Sequence, residues 1–346
     1  MAKERNSNIE LLRNLAMFLV LVVHSMYFAL GAPTAEYLEQ NPLDGKTQIV
    51  LELLAIACVN LFILISGWFG IRPKVKSVLT LLFQCFFLYI LVYVFSLIIG
   101  ISELSVRGIK QCFGLVDLAW FVPAYLGLYM LAPILNGFIE SANKKTFETM
   151  LISYFAFELF FGWYLNTPRL FDRGYSTMSF IGLYMLARYI RLYSPKFSTL
   201  DKYIDLGIYF GITIFMVQFL IYTNNFDATS SYLYYCAPNV ILASLFLFLF
   251  FTKISFQNRF INWCGASAFA VYLIHTNPNL VLHFIGFIKN LHENYGYFAF
   301  YTLNFLFLIA VFLGSVYVDK LRIYVWDKIL ISVENFKAKK ETNTVN

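Results

Sequence analysis

Runs of about 20 apolar residues recur from one end of this chain to the other. Each is long enough to cross the hydrocarbon of a bilayer as a helix. Inside lipid every backbone N–H and C=O must be satisfied by the protein itself, which leaves helices and closed barrels as spanning structures. The runs are continuous rather than alternating, so they read as helices. The balance of the 346 residues agrees: 60% are hydrophobic and only 13% charged, too little charge to cover a water-facing surface. A soluble enzyme is thereby set aside. The first run, from about Ile9 to Leu30, is longer than a secretory leader core, and no small-residue cleavage pattern follows it. It reads as the first span.

Ten spans are expected, at 9–31, 48–70, 77–101, 118–139, 146–165, 177–193, 203–223, 233–252, 263–287 and 297–317. The span at 177–193 is short and carries Arg188 and Arg191; that at 263–287 is interrupted by Asn277-Pro278-Asn279. With the N-terminus inside, 20 of the 26 Lys and Arg residues fall on the inner side and 6 on the outer. That bias supports an even number of spans with both termini cytoplasmic. The fold class is therefore all-α: a polytopic helical bundle in the plasma (inner) membrane. Residues 1–318 form the membrane domain. Residues 319–346 read as an amphipathic helix on the inner membrane surface followed by a disordered tail. No internal repeat is evident. The five cysteines are scattered, which argues against a disulfide framework or a metal site, and they read as small buried apolar residues. No basic stretch interleaved with aromatics suggests nucleic-acid binding.

Ionisable residues within spans are costly and mark function by default. Arg13 and His24 lie eleven positions apart, close to three helical turns, so they share one face about 16 Å apart along the axis. Glu10, one turn before Arg13, can pair with it. Arg72, Lys74 and Lys76 gather at the inner end of the second span, just below Ser66-Gly67. Toward the outer side lie Glu52, Asp117, Trp120, Glu158 and His275. Structural alternatives stand beside each. Arg13 can snorkel to headgroups, and His24 can be a core histidine bonded to a neighbouring helix. Trp120 can belong to an interfacial belt, and Gly67 can serve helix packing. The Asn277-Pro278-Asn279 break frees backbone carbonyls, as tolerated beside a cavity, and can bring His275 to a site.

Four blocks in this order resemble the integral membrane acyltransferases of acyltransferase family 3, which include polysaccharide O-acetyltransferases. They are Glu10, Arg13 and His24 in the first span; NLFILISGWFGIRPKVK at 60–76; LAWFVPAYLGLYMLAPILN at 118–136; and AVYLIHTNP at 270–278. Trp68 departs from the more usual Tyr or Phe. The resemblance implies acyl transfer from acyl-coenzyme A, usually acetyl-CoA, to a hydroxyl of a cell-surface or exported bacterial polysaccharide or its lipid-linked precursor. On that reading His24 is catalytic, as base or nucleophile. Arg13, Arg72 and Lys74 hold the donor phosphates, with Glu10 orienting Arg13 and Ser66 beside the donor. Glu158, His275, Trp120, Glu52 and Asp117 are acceptor-side residues, since carboxylates and aromatic rings suit a sugar. Acetyl-CoA is a co-substrate, and no tightly bound cofactor or metal is expected. The partners are acyl-CoA, the glycan or lipid-linked glycan, and the bilayer. The rival is a transporter or flippase for a lipid-linked sugar, which has no need of a coenzyme A site. A receptor without chemistry leaves Arg13 and His24 on one face unexplained.

Overall fold

A computed structural model describes residues 5–167 and 170–345, with side chains as far as 335. Arg169 and Lys3, counted above among the outer and inner charges, lie outside the described residues, as do the side chains of Lys337, Lys339 and Lys340. The described residues are helical throughout, joined by turns. In chain order the helices are α1 (Ser7–Val23), α2 (Ala35–Gln40), α3 (Pro42–Ala55), α4 (Cys58–Phe69), α5 (Val75–Ile98), α6 (Val106–Cys112), α7 (Phe121–Ser141) and α8 (Lys144–Phe157). They continue with α9 (Thr177–Tyr193), α10 (Lys202–Tyr222), α11 (Pro238–Thr252), α12 (Arg259–Gly265), α13 (Ala268–His275), α14 (Val281–Asn294) and α15 (Tyr297–Val345). α1 and α8 each run on into a wider π-helical turn, at His24–Phe28 and Glu158–Tyr164.

Seven helical segments are long and apolar enough to cross a membrane unaided: Ser7–Phe28, Pro42–Phe69, Val75–Ile98, Phe121–Ser141, Lys202–Tyr222, Ser231–Thr252 and Tyr297–Asn335. Of the other three expected spans, one falls on α8 with its π turn, which is continuous but less apolar, one on the short α9, and one on the broken series α12–α13–α14. The expected break at Asn277-Pro278-Asn279 is present. α13 ends at His275, the Asn277 Oδ1 accepts from the Asn279 N–H at 3.0 Å, and α14 begins at Val281. α15 passes residue 319 without interruption and its backbone stays helical to Val345, where a separate surface helix and an unstructured tail were expected.

α1 lies at the centre. It packs against α3, α4, α11, α12, α13 and α15. Its Ile9, Leu12, Ala16, Met17, Val20 and Leu21 are buried, at the three- and four-residue spacing of one helical face. Leu12, Ala16 and Leu21 have no exposed surface. α4 and α9 pack closely at Gly67. A Cβ there would stand 2.5 Å from the Tyr184 carbonyl oxygen and 2.8 Å from the Ala187 Cβ. The glycine thus lets a helix approach, and no space is left beside it for a ligand. All five cysteines are buried and free, as the sequence suggests.

One break in the second span is invisible in the hydropathy. α3 and α4 are separated at Ile56–Ala57 inside an unbroken apolar run. The Leu54 carbonyl released there is met from another helix, Tyr209 Oη donating to it at 2.7 Å, while the Ala57 carbonyl opens the ladder of α4 by accepting the Leu61 N–H at 3.3 Å. Internal satisfaction of this kind is what permits irregular backbone at membrane depth. The offset turns Glu52 and Ile56 at the end of one segment, and Cys58 and Val59 at the start of the next, toward the same cavity.

Candidate active site

That cavity, of about 270 Å³, opens beside the C-terminal end of α1. Met17 and Val20 of α1 form one wall, and His24, Tyr27 and Phe28 of the π turn continue it. Glu52 stands on the α3 side. Trp120, Phe121, Tyr175, Tyr235 and Tyr272 supply an aromatic wall. Trp120 lies against Tyr175, with ring centroids 4.4 Å apart, and stacks on Tyr235 at 6.2 Å. It belongs to this wall. Tyr175 and Tyr235 come from connecting segments. Their loops are fastened by the Tyr235 N–H bonding the Arg173 carbonyl at 2.9 Å, while Asn60 Nδ2 donates to the Tyr235 carbonyl at 2.9 Å. Gly174, at φ +96°, allows this close approach: a Cβ would meet Tyr235 at 2.5 Å.

His24 is the first residue of the π turn. Such turns inside helices recur at functional sites because they re-aim side chains. Its Nδ1 lies 2.8 Å from Nε2 of His275. His275 is buried, and its own Nδ1 is 2.5 Å from the Val271 carbonyl oxygen. The sequence reading places His275 on the acceptor wall. The structure corrects this: His275 stands behind His24, joined to it, and is not part of the lining of the cavity. His275 is the last residue of α13, directly before the break.

Below His24 the cavity follows α1 down to Met17, one turn above Arg13. Arg13 Nη1 bonds Glu10 Oε2 at 2.6 Å, as the spacing predicts, and Arg5 shares the same oxygen at 3.0 Å. Glu10 is buried. It fits there because Gly265 of α12 faces it; a Cβ would stand 2.3 Å from Glu10 Oε2. Ser66 Oγ donates to the Phe62 carbonyl at 2.9 Å and lies 3.2 Å from Tyr125 Oη. Arg72 and Lys74 are exposed on the loop after α4.

The remaining expected residues divide. Glu52 is buried on the cavity wall and its Oε2 has no hydrogen-bond partner. Glu158 is also buried with an unpartnered Oε2, but it faces Gly182 and Tyr154 away from the cavity lining. Asp117 is elsewhere, in a surface ion pair with Arg107 at 2.9 Å. The Gln111 amide and the Arg107 guanidinium hold its carboxyl below the usual carboxylate range. Tyr175 and Tyr235 are not singled out in the sequence. No local pattern marks them, since their role depends on loops that meet only in the folded chain.

A family model described as an acyltransferase domain, of the acyltransferase family 3 type, matches residues 6–318. The chain belongs to acyltransferase family 3. Membership supports the first of the readings left open by the sequence: this is a membrane acyltransferase. No curated relative and no solved structure matches it.

Proposed function

We propose that this acyltransferase moves an acyl group, acetyl in the first instance, from acyl-coenzyme A on the cytoplasmic side to a glycan hydroxyl at His24. The acceptor is a cell-surface or exported polysaccharide or its lipid-linked precursor, and the membrane is the inner membrane of a bacterial cell. The observation that carries this reading is the chain from the Val271 carbonyl through His275 to His24 at the wall of an aromatic cavity.

The protons in that chain follow from the chemistry of the groups. A backbone carbonyl only accepts, so Nδ1 of His275 carries the hydrogen. The neutral ring then presents Nε2 as an acceptor, and His24 Nδ1 must donate to it. The lone pair of His24 is left on Nε2. That nitrogen is a general base for a hydroxyl in the cavity. It takes the hydroxyl proton as the oxygen bonds to the thioester carbonyl carbon. The carbon–sulfur bond then breaks, and the leaving thiolate recovers the proton from the imidazolium as free coenzyme A.

Other features support the two substrates. The aromatic wall of Trp120, Tyr175 and Tyr235 suits the apolar faces of a sugar ring, and the unpartnered Glu52 carboxyl suits its hydroxyls. The cavity descends the Arg13 face of α1, so a donor held by phosphates near the inner surface can extend its thioester toward His24. The test is turnover by the purified full chain in nanodiscs, read as acceptor-dependent release of coenzyme A thiol from acetyl-CoA. The wild type should release thiol and His24→Ala should not. Equal release by both would remove His24 from the chemistry.

A further inference from the structure

The loop between α4 and α5 is held with more care than a chain reversal requires. Gly70 closes α4 with φ +74°, its N–H bonding the Ser66 carbonyl at 3.0 Å. Three side chains from two other helices then fix the backbone that follows. Tyr184 Oη accepts the Ile71 N–H at 3.1 Å and donates to Asn136 Oδ1 at 2.7 Å. Asn136 Nδ2 donates to the Ile71 carbonyl at 2.8 Å. Tyr129 Oη accepts the Lys74 N–H at 2.8 Å and lies 3.3 Å from the carbonyls of Arg72 and Lys74.

The fixed loop carries Arg72 and Lys74, and α9 brings two more cations beside it. A Cβ on Gly70 would come within 3.4 Å of Arg188 Nη1, so the guanidinium lies directly against the loop. Arg191 sits over the Trp68 ring, 4.6 Å from its centroid. Arg188 is poorly satisfied for a half-buried guanidinium. Its Nε is buried without a partner, and Nη1 has only a long 3.5 Å contact with the Trp68 carbonyl. Among the described residues Arg72, Lys74, Arg188 and Arg191 have no carboxylate within 4 Å, whereas Arg5 and Arg13 share Glu10. A fixed loop, a poorly satisfied guanidinium fork and positive charge without a carboxylate partner suit a multiply charged phosphate.

We propose that Arg188 binds the phosphates of the acyl donor, acting with Arg72 and Lys74 of the fixed loop. This rests on the acyl-coenzyme A reading above and adds a residue of the sixth expected span to the donor site. Arg13 is already paired with Glu10 and lies nearer the cavity. The polyphosphate end of the donor therefore belongs at the loop and its thioester end at His24. The same chemistry would serve an anionic lipid headgroup, and the experiment must separate the two.

The full chain in nanodiscs of neutral phosphatidylcholine is titrated with coenzyme A and, separately, with adenosine 3′,5′-bisphosphate, which lacks the thiol arm. Wild type should bind both. Arg188→Gln should weaken both by about tenfold or more, as expected for loss of a charge-assisted contact. Arg188→Lys, which keeps the charge without the fork and is the milder variant for folding, should fall between. Lys144→Gln, at the start of α8, should change neither. If both Arg188 variants bind coenzyme A as the wild type does, while anionic lipid added to the nanodiscs stabilises wild type and not the variants, the site is a headgroup site and the inference fails. If wild type itself binds no coenzyme A, the donor reading fails along with it.

Discussion

At the scale of single residues, the sequence shows which groups need an explanation and not which of them meet. Glu10, Arg13 and His24 are legible because one helix fixes their spacing, and the Glu10–Arg13 pair follows. His275 is legible as an intramembrane histidine but not as the partner of His24, from which 251 positions separate it. The distinction is measurable. His275→Ala should lower kcat about 100-fold, within the usual range for a disabled acid–base group, and leave the KM for acetyl-CoA nearly unchanged. His275→Gln should recover part of the loss, because its amide oxygen can still accept from His24 Nδ1. A rise in KM with kcat intact would return His275 to the acceptor wall. Glu52→Gln should behave differently, raising the KM for the glycan and leaving that for acetyl-CoA nearly unchanged. A fall in kcat with the glycan KM intact would place Glu52 in the chemistry itself.

At the scale of elements, hydropathy reports how long an apolar run is and says nothing of where its hydrogen bonds go. It therefore finds the second span but not the break at Ile56–Ala57, whose freed Leu54 carbonyl is met by Tyr209 from a later helix. The Asn277-Pro278-Asn279 break is legible because proline cannot continue a helix. The structure adds that the break stops α13 at the residue needed behind His24. Two substitutions test these joints. Gly67→Ala drives a Cβ into the backbone of α9 and should destabilise the protein by about 1–3 kcal/mol, the usual cost of overpacking, read as a lower thermal midpoint in detergent. Tyr209→Phe removes one bond at the α3–α4 break and should cost about 1 kcal/mol. Its larger effect should be on turnover, because the break aims Glu52, Ile56, Cys58 and Val59 at the cavity. Unchanged stability in Gly67→Ala would mean that α4 and α9 are less closely packed than described.

At the scale of the whole molecule, the charge bias gives an orientation that helix packing alone does not. Single cysteines replacing Asp117, Lys74 and Lys144 check it with an impermeant thiol reagent on intact cells. Position 117 should label from outside, and positions 74 and 144 only after permeabilisation. The reverse pattern would invert the donor and acceptor sides. Acyl transfer to a glycan through His24 can be read from the ester content of the surface glycan. Alkali-labile acyl groups are measured in cells lacking the gene and in the same cells carrying either the wild-type chain or His24→Ala. The ester should disappear on deletion, return with the wild type, and not return with His24→Ala although the variant reaches the membrane at the same level. An ester content unchanged by deletion, or restored in full by His24→Ala, would rule out transfer to this glycan through His24.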